Sequence, residues 1–235
     1  MGNGVADEKQ RVRERVWTLL ERKGAARFPG TRGRIPNFEG AEAAAALLAT
    51  QPEWERTNVV KANPDSPQLP VRRSAVGAGK LLYMAVPKLT APKPFVLVRG
   101  DPTISKAMKA GRPMAVDELE PVDLVVCGTV AVNRDGVRVG KGGGYSDLEF
   151  ALLVEAGLVG DETTIATTVH PLQLLHEELP ETEHDFRVDL IVTPDDVMRT
   201  GRRKRPRGIL WTHLTVEKIA SIPVLARAGR AGAAP

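Results

Sequence analysis

The apolar positions of the chain follow two different periods, and segments with the two periods alternate. Over residues 7–23, Val12, Val16, Leu19 and Leu20 recur near helical spacing with charged residues between them, which predicts an amphipathic helix. Other apolar residues form short continuous runs, a pattern typical of strands that are buried on both faces. Strands alternating with helices predict an α/β fold, with a central, mostly parallel sheet and helices on both faces in three layers.

The predicted elements are short and closely spaced. Helices are predicted at residues 7–23, 42–50, 71–79, 105–111 and 145–157. Strands are predicted at residues 57–62, 81–86, 95–98, 122–128, 129–133, 137–139, 163–169, 188–193 and 208–211. Residues 133–136 carry an Asp-Gly pair that predicts a hairpin turn. Because no long linker separates these elements, we expect one domain over residues 8–225, between a disordered N-terminus at 1–7 and a flexible tail at 226–235.

Composition narrows the possible classes of protein. The hydrophobic fraction of 42% and the charged fraction of 26% are ordinary for a globular chain, and no apolar run is long enough to cross a bilayer. The single cysteine, Cys127, excludes an internal disulfide and lies in a buried-strand pattern, so we expect a cytoplasmic protein. The net charge of +4 fits an anionic ligand but is small for a dedicated DNA-binding protein.

A glycine loop at residues 138–147, RVGKGGGYSD, separates a predicted strand from a predicted helix. Its centre holds three consecutive glycines: Gly142, Gly143 and Gly144. Backbone amides at a helix N-terminus form a natural phosphate site, and Lys141 would add a positive charge. Asp147 would either cap the helix or hold a Mg²⁺ ion shared with phosphates. From spacing alone, a flexible loop with a capping aspartate remains an equal alternative.

Three separated motifs carry a family resemblance. The segment from Arg138 to Asp147 resembles the signature R-L-G-x-G-x-G-Y-Y-D of the 5-formyltetrahydrofolate cyclo-ligase family. Lys9 and Arg13 match the K-x-x-[LIV]-R pattern of that family's first helix, and residues 179–194 match its L-P-x-x-x-H-D ending. The motifs keep their order, so the resemblance spans nearly the whole chain.

The resemblance implies an ATP- and Mg²⁺-dependent enzyme that converts 5-formyltetrahydrofolate to 5,10-methenyltetrahydrofolate. It implies catalytic roles for Lys9, Arg138, Lys141 and Asp147, with Asp147 as the metal ligand. The implied ATP- and phosphate-binding residues are Lys9, Arg13, Gly140, Lys141, Gly142, Gly143, Gly144 and Tyr145. The expected partner is therefore a reduced folate or a related small molecule.

The sequence departs from the family pattern on the substrate side. Ser146 replaces the second tyrosine of the signature, and Leu148 stands where bacterial members often have arginine. The family usually has a folate-gripping glutamate in the loop after its first strand, and Asp65 is the nearest acid here. Val132 and Asn133 replace an aromatic–acid pair. The pattern also resembles a paralogous branch associated with thiamine metabolism, so an ATP-binding member with another substrate, such as a thiamine-related one, is an alternative.

The predicted substrate contacts are Asp65, Tyr145, Ser146 and His170. His170 is included because it follows a buried strand at the carboxyl edge of the sheet, where ligands gather in open α/β folds. His184, in the His-Asp pair of the third motif, is interpreted as structural.

A basic run at residues 202–207 allows three interpretations. It is a solvated loop, a patch that attracts ATP or a polyglutamate tail, or the contact surface of a nucleic-acid or regulatory binder. The run has no aromatic partners for base stacking, so we expect no nucleic-acid partner. We also expect no membrane partner, and a monomer or homodimer.

Overall fold

The computed structural model describes residues 2–201 and 204–231, and eleven strands lie in these ranges. They are, in chain order, β1 (Val59–Ala62), β2 (Leu81–Ala85), β3 (Phe95–Leu97), β4 (Arg112–Met114), β5 (Leu124–Val126), β6 (Ala131–Asn133), β7 (Arg138–Val139), β8 (Thr164–Thr168), β9 (Leu174–Leu175), β10 (Leu190–Val192) and β11 (Val197–Arg199). Eight of them form one sheet in the order β11-β10-β8-β5-β1-β2-β3-β4, and β7-β6-β9 form a second, smaller sheet.

Eight helices accompany the strands in the described ranges. They are α1 (Gly2–Arg22), α2 (Ala41–Ala49), α3 (Pro52–Glu55), α4 (Leu69–Gly77), α5 (Ile104–Ala110), α6 (Tyr145–Glu155), α7 (Val216–Ser221) and α8 (Pro223–Ala231). Among the described residues, none of these helices has both the length and the apolar character that crossing a membrane requires.

The five central strands of the large sheet, β10, β8, β5, β1 and β2, are all parallel, and the outer strands β11, β3 and β4 pair antiparallel. Both faces are covered, which explains the continuous apolar runs in the sequence. On β5, Leu124 and Val126 face the side packed by α2 and α4, whereas Val125 faces the side packed by α6. The predicted three-layer α/β fold is confirmed.

The direction in which the chain adds strands reverses at β1. From β1 it continues to β2 on one side, and later returns to β5 on the other side. In open α/β sheets, such a reversal leaves a crevice at the carboxyl ends of the strands, and ligands bind there. Asn63 follows β1 at this point, and its amide donates to the carbonyl of Val126 at 3.0 Å.

The small sheet connects the first helix to the glycine loop. Val12, Val16, Trp17 and Leu20 of α1 pack against the apolar residues of this sheet. The predicted hairpin turn at residues 133–136 joins β6 to β7. Strand β7 leads directly into the glycine loop, so α1 and the loop are held on neighbouring elements.

The structure corrects the predicted boundaries in three places. Helix α1 begins at Gly2 rather than at residue 7, and Val5 and Ala6 line a cavity described below. Helix α8 likewise extends through residues 226–231 of the predicted tail, whereas residues 232–235 lie outside the described part of the chain.

The third correction concerns the predicted last strand. Residues 208–211 do not form a strand, because β11 already occupies the sheet edge by folding back antiparallel on β10. Instead Ile209 is buried, and its amide donates to Glu155 Oε1 at 2.9 Å at the end of α6. The short strands β4, β9 and β11 were not predicted, since each has only two or three residues and at most one of them is buried.

Candidate active site

A cavity of about 820 Å³ opens at the crevice where the strand order reverses. Its walls come from the start of α1, the segments that follow β1 and β5, the glycine loop and the first turns of α6. Most residues predicted for ATP or substrate binding line it: Lys9, Arg13, Asp65, Arg138, Gly140, Lys141, Gly142, Gly143, Gly144, Tyr145, Ser146 and Asp147. The tertiary fold thus brings together motifs that are more than a hundred residues apart.

Two glycines of the loop have backbone conformations that residues with a side chain rarely adopt. Gly142 has φ +103°, and Gly144, the N-cap of α6, has φ +67°. Both values lie in the left-handed region, which glycine occupies without steric cost. Gly143 has no such requirement, but a Cβ there would lie 2.9 Å from the Tyr145 ring.

The amides of residues 141–147 have no acceptor among the described residues. The first hydrogen bond of the helix is donated by Leu148 to the carbonyl of Gly144 at 3.1 Å. Unpaired amides beside a helix N-terminus attract anions, because the helix dipole adds to their partial positive charges. The loop is therefore suited to hold phosphate oxygens.

Cationic side chains surround this loop. Arg13 Nε donates to the carbonyl of Gly140 at 2.7 Å, and Lys218 Nζ donates to the carbonyl of Gly143 at 2.9 Å. The Lys218 ammonium also lies 3.4 Å from the centre of the Tyr145 ring. Two contacts to loop carbonyls and one cation–π contact fix the loop and place positive charge beside its amides.

Lys9 forms an ion pair with Asp185 at the edge of the cavity. Thr182 also donates to the Asp185 carboxylate, from its amide at 2.5 Å and its hydroxyl at 2.8 Å. Burial alone would raise the pKa of Asp185, but Lys9 and these hydrogen bonds outweigh burial and lower it. Asp185 is therefore a fixed negative charge that positions the Lys9 ammonium.

Arg138 and Asp147 form a second pair, with a distance of 2.6 Å from Arg138 Nη2 to Asp147 Oδ1. The guanidinium is buried and lies 4.2 Å from the centre of the Phe186 ring. Burial opposes its charge, yet Asp147 outweighs burial and raises the pKa of Arg138. The structure decides one open alternative: Asp147 does not cap α6, since no side chain caps that helix start.

The donor set fits Mg²⁺ only together with ligand oxygens. Within residues 2–201 and 204–231, no group of three or more His, Cys, Asp or Glu side chains is arranged to hold a metal. Asp147 lines the cavity beside the loop, and its Oδ2 accepts no hydrogen bond from those residues. Mg²⁺ is commonly bound by one or two carboxylates together with substrate phosphates, so a single carboxylate fits that mode of binding.

The floor of the cavity holds a buried polar cluster. Lys61, Asn63 and Glu149 are only 2%, 4% and 4% exposed, and Lys61 forms an ion pair with Glu149. Asn63 Nδ2 donates to Glu149 Oε2 at 3.2 Å. Burial raises the pKa of Glu149, and Lys61 offsets this only in part.

A smaller cavity of about 310 Å³ lies on the other side of the glycine loop. Its apolar lining comes from Leu148, Ala151, Ile209, Leu210 and Leu214. Two histidines lie between the cavities and line both of them: His184 and His213, whose Nδ1 atoms are 2.9 Å apart.

His170 lies apart from this site. Its Nδ1 accepts a hydrogen bond from the amide of Leu172 at 3.1 Å, and its ring packs edge-on against Phe38. It lines neither cavity, so it does not join the other predicted substrate contacts. Asp65 does line the large cavity, where its Oδ1 accepts from Lys141 Nζ at 2.7 Å.

Sequence reasoning missed several residues of the site: Lys61, Asn63, Glu149, His184, Asp185, His213 and Lys218. Two of them carried a signal. Lys61 interrupts an otherwise apolar strand, and Glu149 interrupts the apolar run of α6, so each was a candidate for a buried charge. His184 and Asp185 were noticed as a pair but interpreted as structural, whereas both line the cavity.

The basic run contributes to packing where it is described. Lys204 Nζ donates to the carbonyl of Thr182 at 2.7 Å, and Arg205 pairs with Asp189 at 2.5 Å. Neither Lys204 nor Arg205 lines either cavity. This favours the interpretation of the basic run as a loop over its interpretation as a patch that attracts ATP or a polyglutamate tail. Arg202 and Arg203 of the run lie outside the described residues.

Comparison with known proteins gives concordant results. The chain is 38% identical to the Homo sapiens methenyltetrahydrofolate synthase domain-containing protein over an alignment of 235 positions. The alignment covers 94% of this chain and 61% of that protein. The protein of the same name from Danio rerio is 37% identical over 233 residues, covering 93% of this chain and 61% of the relative. The chain thus spans about three fifths of the length of these curated relatives.

A solved structure supports the fold. The NMR structure of 5,10-methenyltetrahydrofolate synthetase from Aquifex aeolicus aligns with a TM-score of 0.53 at 21% identity, covering 89% of this chain and 99% of that one. A sequence model described as the 5-formyltetrahydrofolate cyclo-ligase family matches residues 5–194. This range includes the α1 motif, the glycine loop and the His-Asp motif, and it shows that the chain belongs to the 5-formyltetrahydrofolate cyclo-ligase family.

Proposed function

We propose that this chain is an ATP- and Mg²⁺-dependent cyclo-ligase that converts 5-formyltetrahydrofolate to 5,10-methenyltetrahydrofolate. The observation that carries the proposal is the run of unpaired amides at residues 141–147, in the wall of a cavity that cationic side chains also line. Four of these cations come from the α1 motif and the glycine-loop motif: Lys9, Arg13, Arg138 and Lys141. Membership of the cyclo-ligase family supports this reaction, as do the names of the related proteins, which contain methenyltetrahydrofolate synthase or synthetase.

In this proposal the triphosphate lies along the glycine loop. The loop amides donate hydrogen bonds to phosphate oxygens, and Arg13 and Lys9 neutralise phosphate charge from the side of α1. The smaller apolar cavity shares the loop and has the size of a nucleobase pocket, so the adenine would lie there.

Asp147 would hold Mg²⁺ through its Oδ2 atom, together with phosphate oxygens. Bound there, Mg²⁺ would neutralise charge on the transferring phosphoryl group. Arg138 would fix the orientation of the Asp147 carboxylate through their 2.6 Å contact.

The reaction asks the protein mainly for positioning and charge stabilisation. The formyl oxygen takes the γ-phosphoryl group and ADP leaves. N10 of the folate then attacks the activated carbon and loses its proton, and phosphate leaves with the former formyl oxygen. Lys9 and Arg13 would stabilise the charge that accumulates on the phosphoryl oxygens, because they line the same wall as the glycine loop.

The test is a spectroscopic assay with the purified chain, ATP, Mg²⁺ and 5-formyltetrahydrofolate. We expect an ATP-dependent rise in the absorbance band of 5,10-methenyltetrahydrofolate. The rise disappears in Asp147→Ala and persists in Asp117→Ala, an exposed acid that lines neither cavity. No rise in the wild-type chain, with ATP binding confirmed by calorimetry, overturns the proposed substrate.

A second candidate keeps ATP and changes the acceptor. It is favoured by Ser146 and Glu149, which line the cavity at positions where the sequence departs from the family pattern or was not predicted to bind. In that case ATP binds without methenyl product, and thiamine-related compounds are the next acceptors to assay.

A further inference from the structure

The side-chain hydrogen bonds of the Lys61–Asn63–Glu149 cluster do not involve the three glycines of the loop. Lys61 lies on β1 and Glu149 on α6, so the cluster ties the helix that follows the glycine loop to the central strand of the sheet. Charged side chains at such burial are expensive unless they are paired and hydrogen-bonded. Because this cost is borne at the floor of a ligand-sized cavity, we examine whether the cluster binds a ligand.

The hydrogen bonds of the cluster are distributed unevenly between the two oxygens of Glu149. Lys61 Nζ and Asn63 Nδ2 both donate to Oε2. No donor in the described part of the chain reaches Oε1, although the side chain is almost fully buried and lines the cavity. One carboxylate oxygen is therefore left for a ligand.

A donor lies next to this acceptor. Ser146 is one helical turn before Glu149, so the two side chains share a face of α6. Ser146 Oγ accepts a long contact of 3.4 Å from Asn63 Nδ2, and its own hydroxyl hydrogen has no acceptor among the described residues. The pair presents one acceptor and one donor to the cavity.

We propose that Glu149 and Ser146 recognise an aminopyrimidine edge, that is, an exocyclic amine beside a ring nitrogen. The amine donates to Glu149 Oε1, and the ring nitrogen accepts from the Ser146 hydroxyl. Lys61 and Asn63 are positioning residues, because they donate hydrogen bonds to the other carboxylate oxygen, Oε2. The assignment rests on the proposed function in that both place a heterocyclic substrate in the large cavity.

The charges of the floor favour a neutral heterocycle over a second anion. A ligand anion would meet the Glu149 carboxylate, while the Lys61 ammonium is already committed to Glu149 and Asn63 and does not line the cavity. Five lysine and arginine side chains of the described residues line the cavity, and none of them makes a hydrogen bond to Glu149 or Ser146: Lys9, Arg13, Lys88, Arg138 and Lys141.

Two ligand sources share this edge: the 2-amino-4-oxopteridine ring of folates and simple 4-aminopyrimidines. The experiment uses matched probe pairs without ATP. One pair is 2-amino-4-oxopteridine and 2-methyl-4-oxopteridine, and the other is 4-amino-2-methylpyrimidine and 2,4-dimethylpyrimidine. In each pair a methyl group replaces the amine, and NMR titration of the whole chain gives the two dissociation constants.

We expect the wild-type chain to prefer the amine over the methyl probe by about tenfold or more in at least one pair, as a hydrogen bond to a buried carboxylate gives. Glu149→Gln reduces this preference to below about threefold, and the exposed Asp117→Asn control keeps it. The pair with the larger preference identifies the ring system.

Glu149→Gln leaves Lys61 buried without its partner, so the double variant Lys61→Met/Glu149→Gln is measured beside it. Loss of the amine preference in either folded variant supports the proposal. A preference that survives in both overturns it, as does a wild-type chain without preference, or loss in Asp65→Asn alone. Because the probes need no ATP and no turnover, this result is independent of the absorbance assay of the proposed reaction.

Discussion

Two of the lysine–carboxylate pairs at the large cavity differ mainly in burial. On the phosphate side, Lys141 and Asp65 are 2.7 Å apart, with 43% and 14% of their side chains exposed. At the floor, Lys61 and Glu149 also form a pair, but their side chains are 2% and 5% exposed.

The difference in burial assigns the two pairs different roles. An exposed pair contributes little to stability, and either partner can exchange its contact for a ligand. A buried pair has no water to replace a lost partner, so it stays formed and defines the shape and charge of the surface around it. The phosphate side can therefore rearrange around a ligand, whereas the floor is already formed before a ligand binds.

The largest effect should come from breaking the buried pair. Lys61→Met leaves the Glu149 carboxylate buried without its cation, and we expect a loss of about 3–5 kcal/mol in the free energy of unfolding. Lys141→Met, the matched change in the exposed pair, should cost less than about 1 kcal/mol. Urea denaturation followed by circular dichroism measures both, and equal losses would erase the distinction between the two pairs.

A second, smaller effect concerns the phosphate side alone. Gly143→Val should weaken ATP binding by about a hundredfold or more while the chain stays folded, because the new side chain enters the loop and displaces the Tyr145 ring. Gly160→Val is the control, since Gly160 is exposed, has no left-handed φ and has free space at its Cβ position. Calorimetric titration with ATP checks both variants, and unchanged affinity in Gly143→Val would remove the loop from the ATP site.

The smallest effect is on pH dependence, and the two sides should differ in sign. The pKa of Asp185 lies below its ordinary value of 3.8 because Lys9 and Thr182 outweigh burial, so its contribution to stability is present above pH 3.8 and is lost as the pH falls through the lowered value. The pKa of Glu149 lies above its ordinary value of 4.5 because of burial, so it costs nothing below pH 4.5 and destabilises the fold as the pH rises through the raised value.

These signs are read from unfolding free energies between about pH 3 and pH 7. Relative to the wild-type chain, Asp185→Asn should flatten the acid side of the profile, and Glu149→Gln should remove a decline on the neutral side. If both variants changed the pH dependence of the unfolding free energy in the same direction, the lowered pKa of Asp185 and the raised pKa of Glu149 would be contradicted.

Much of the fold could be predicted from local pattern. The alternation of apolar runs and helical segments predicted the three-layer sheet, and the Asp-Gly pair after Asn133 predicted the hairpin. The secondary-structure predictions were wrong or incomplete where the apolar pattern was too short, or where a strand and a packed loop have the same pattern. Residues 208–211 are apolar like a strand but pack near the end of α6, and the two-residue and three-residue strands have too few positions to show a period.

The sequence predicted the phosphate side of the candidate site but not its floor. Its phosphate side depends on backbone conformation and exposed charge, which leave glycines and basic residues at recognisable spacings, as in Gly142, Gly144, Lys9 and Arg13. Its floor depends on a contact between Lys61 and Glu149, which are 88 residues apart. Separately, each is one charged residue in an apolar run, and no local spacing relates them.

The amino-acid sequence by itself determined the layers of the fold, the position of the glycine loop between a strand and a helix, and the family to which the chain belongs. These follow from local backbone preferences, from periods of two and 3.6 residues, and from motifs a few residues long. Only the tertiary structure decided which carboxylates are paired, which face the cavity, and that His170 lies outside it. Burial and charge pairing arise from long-range contacts, and those contacts exist only once the strands have met in their final order.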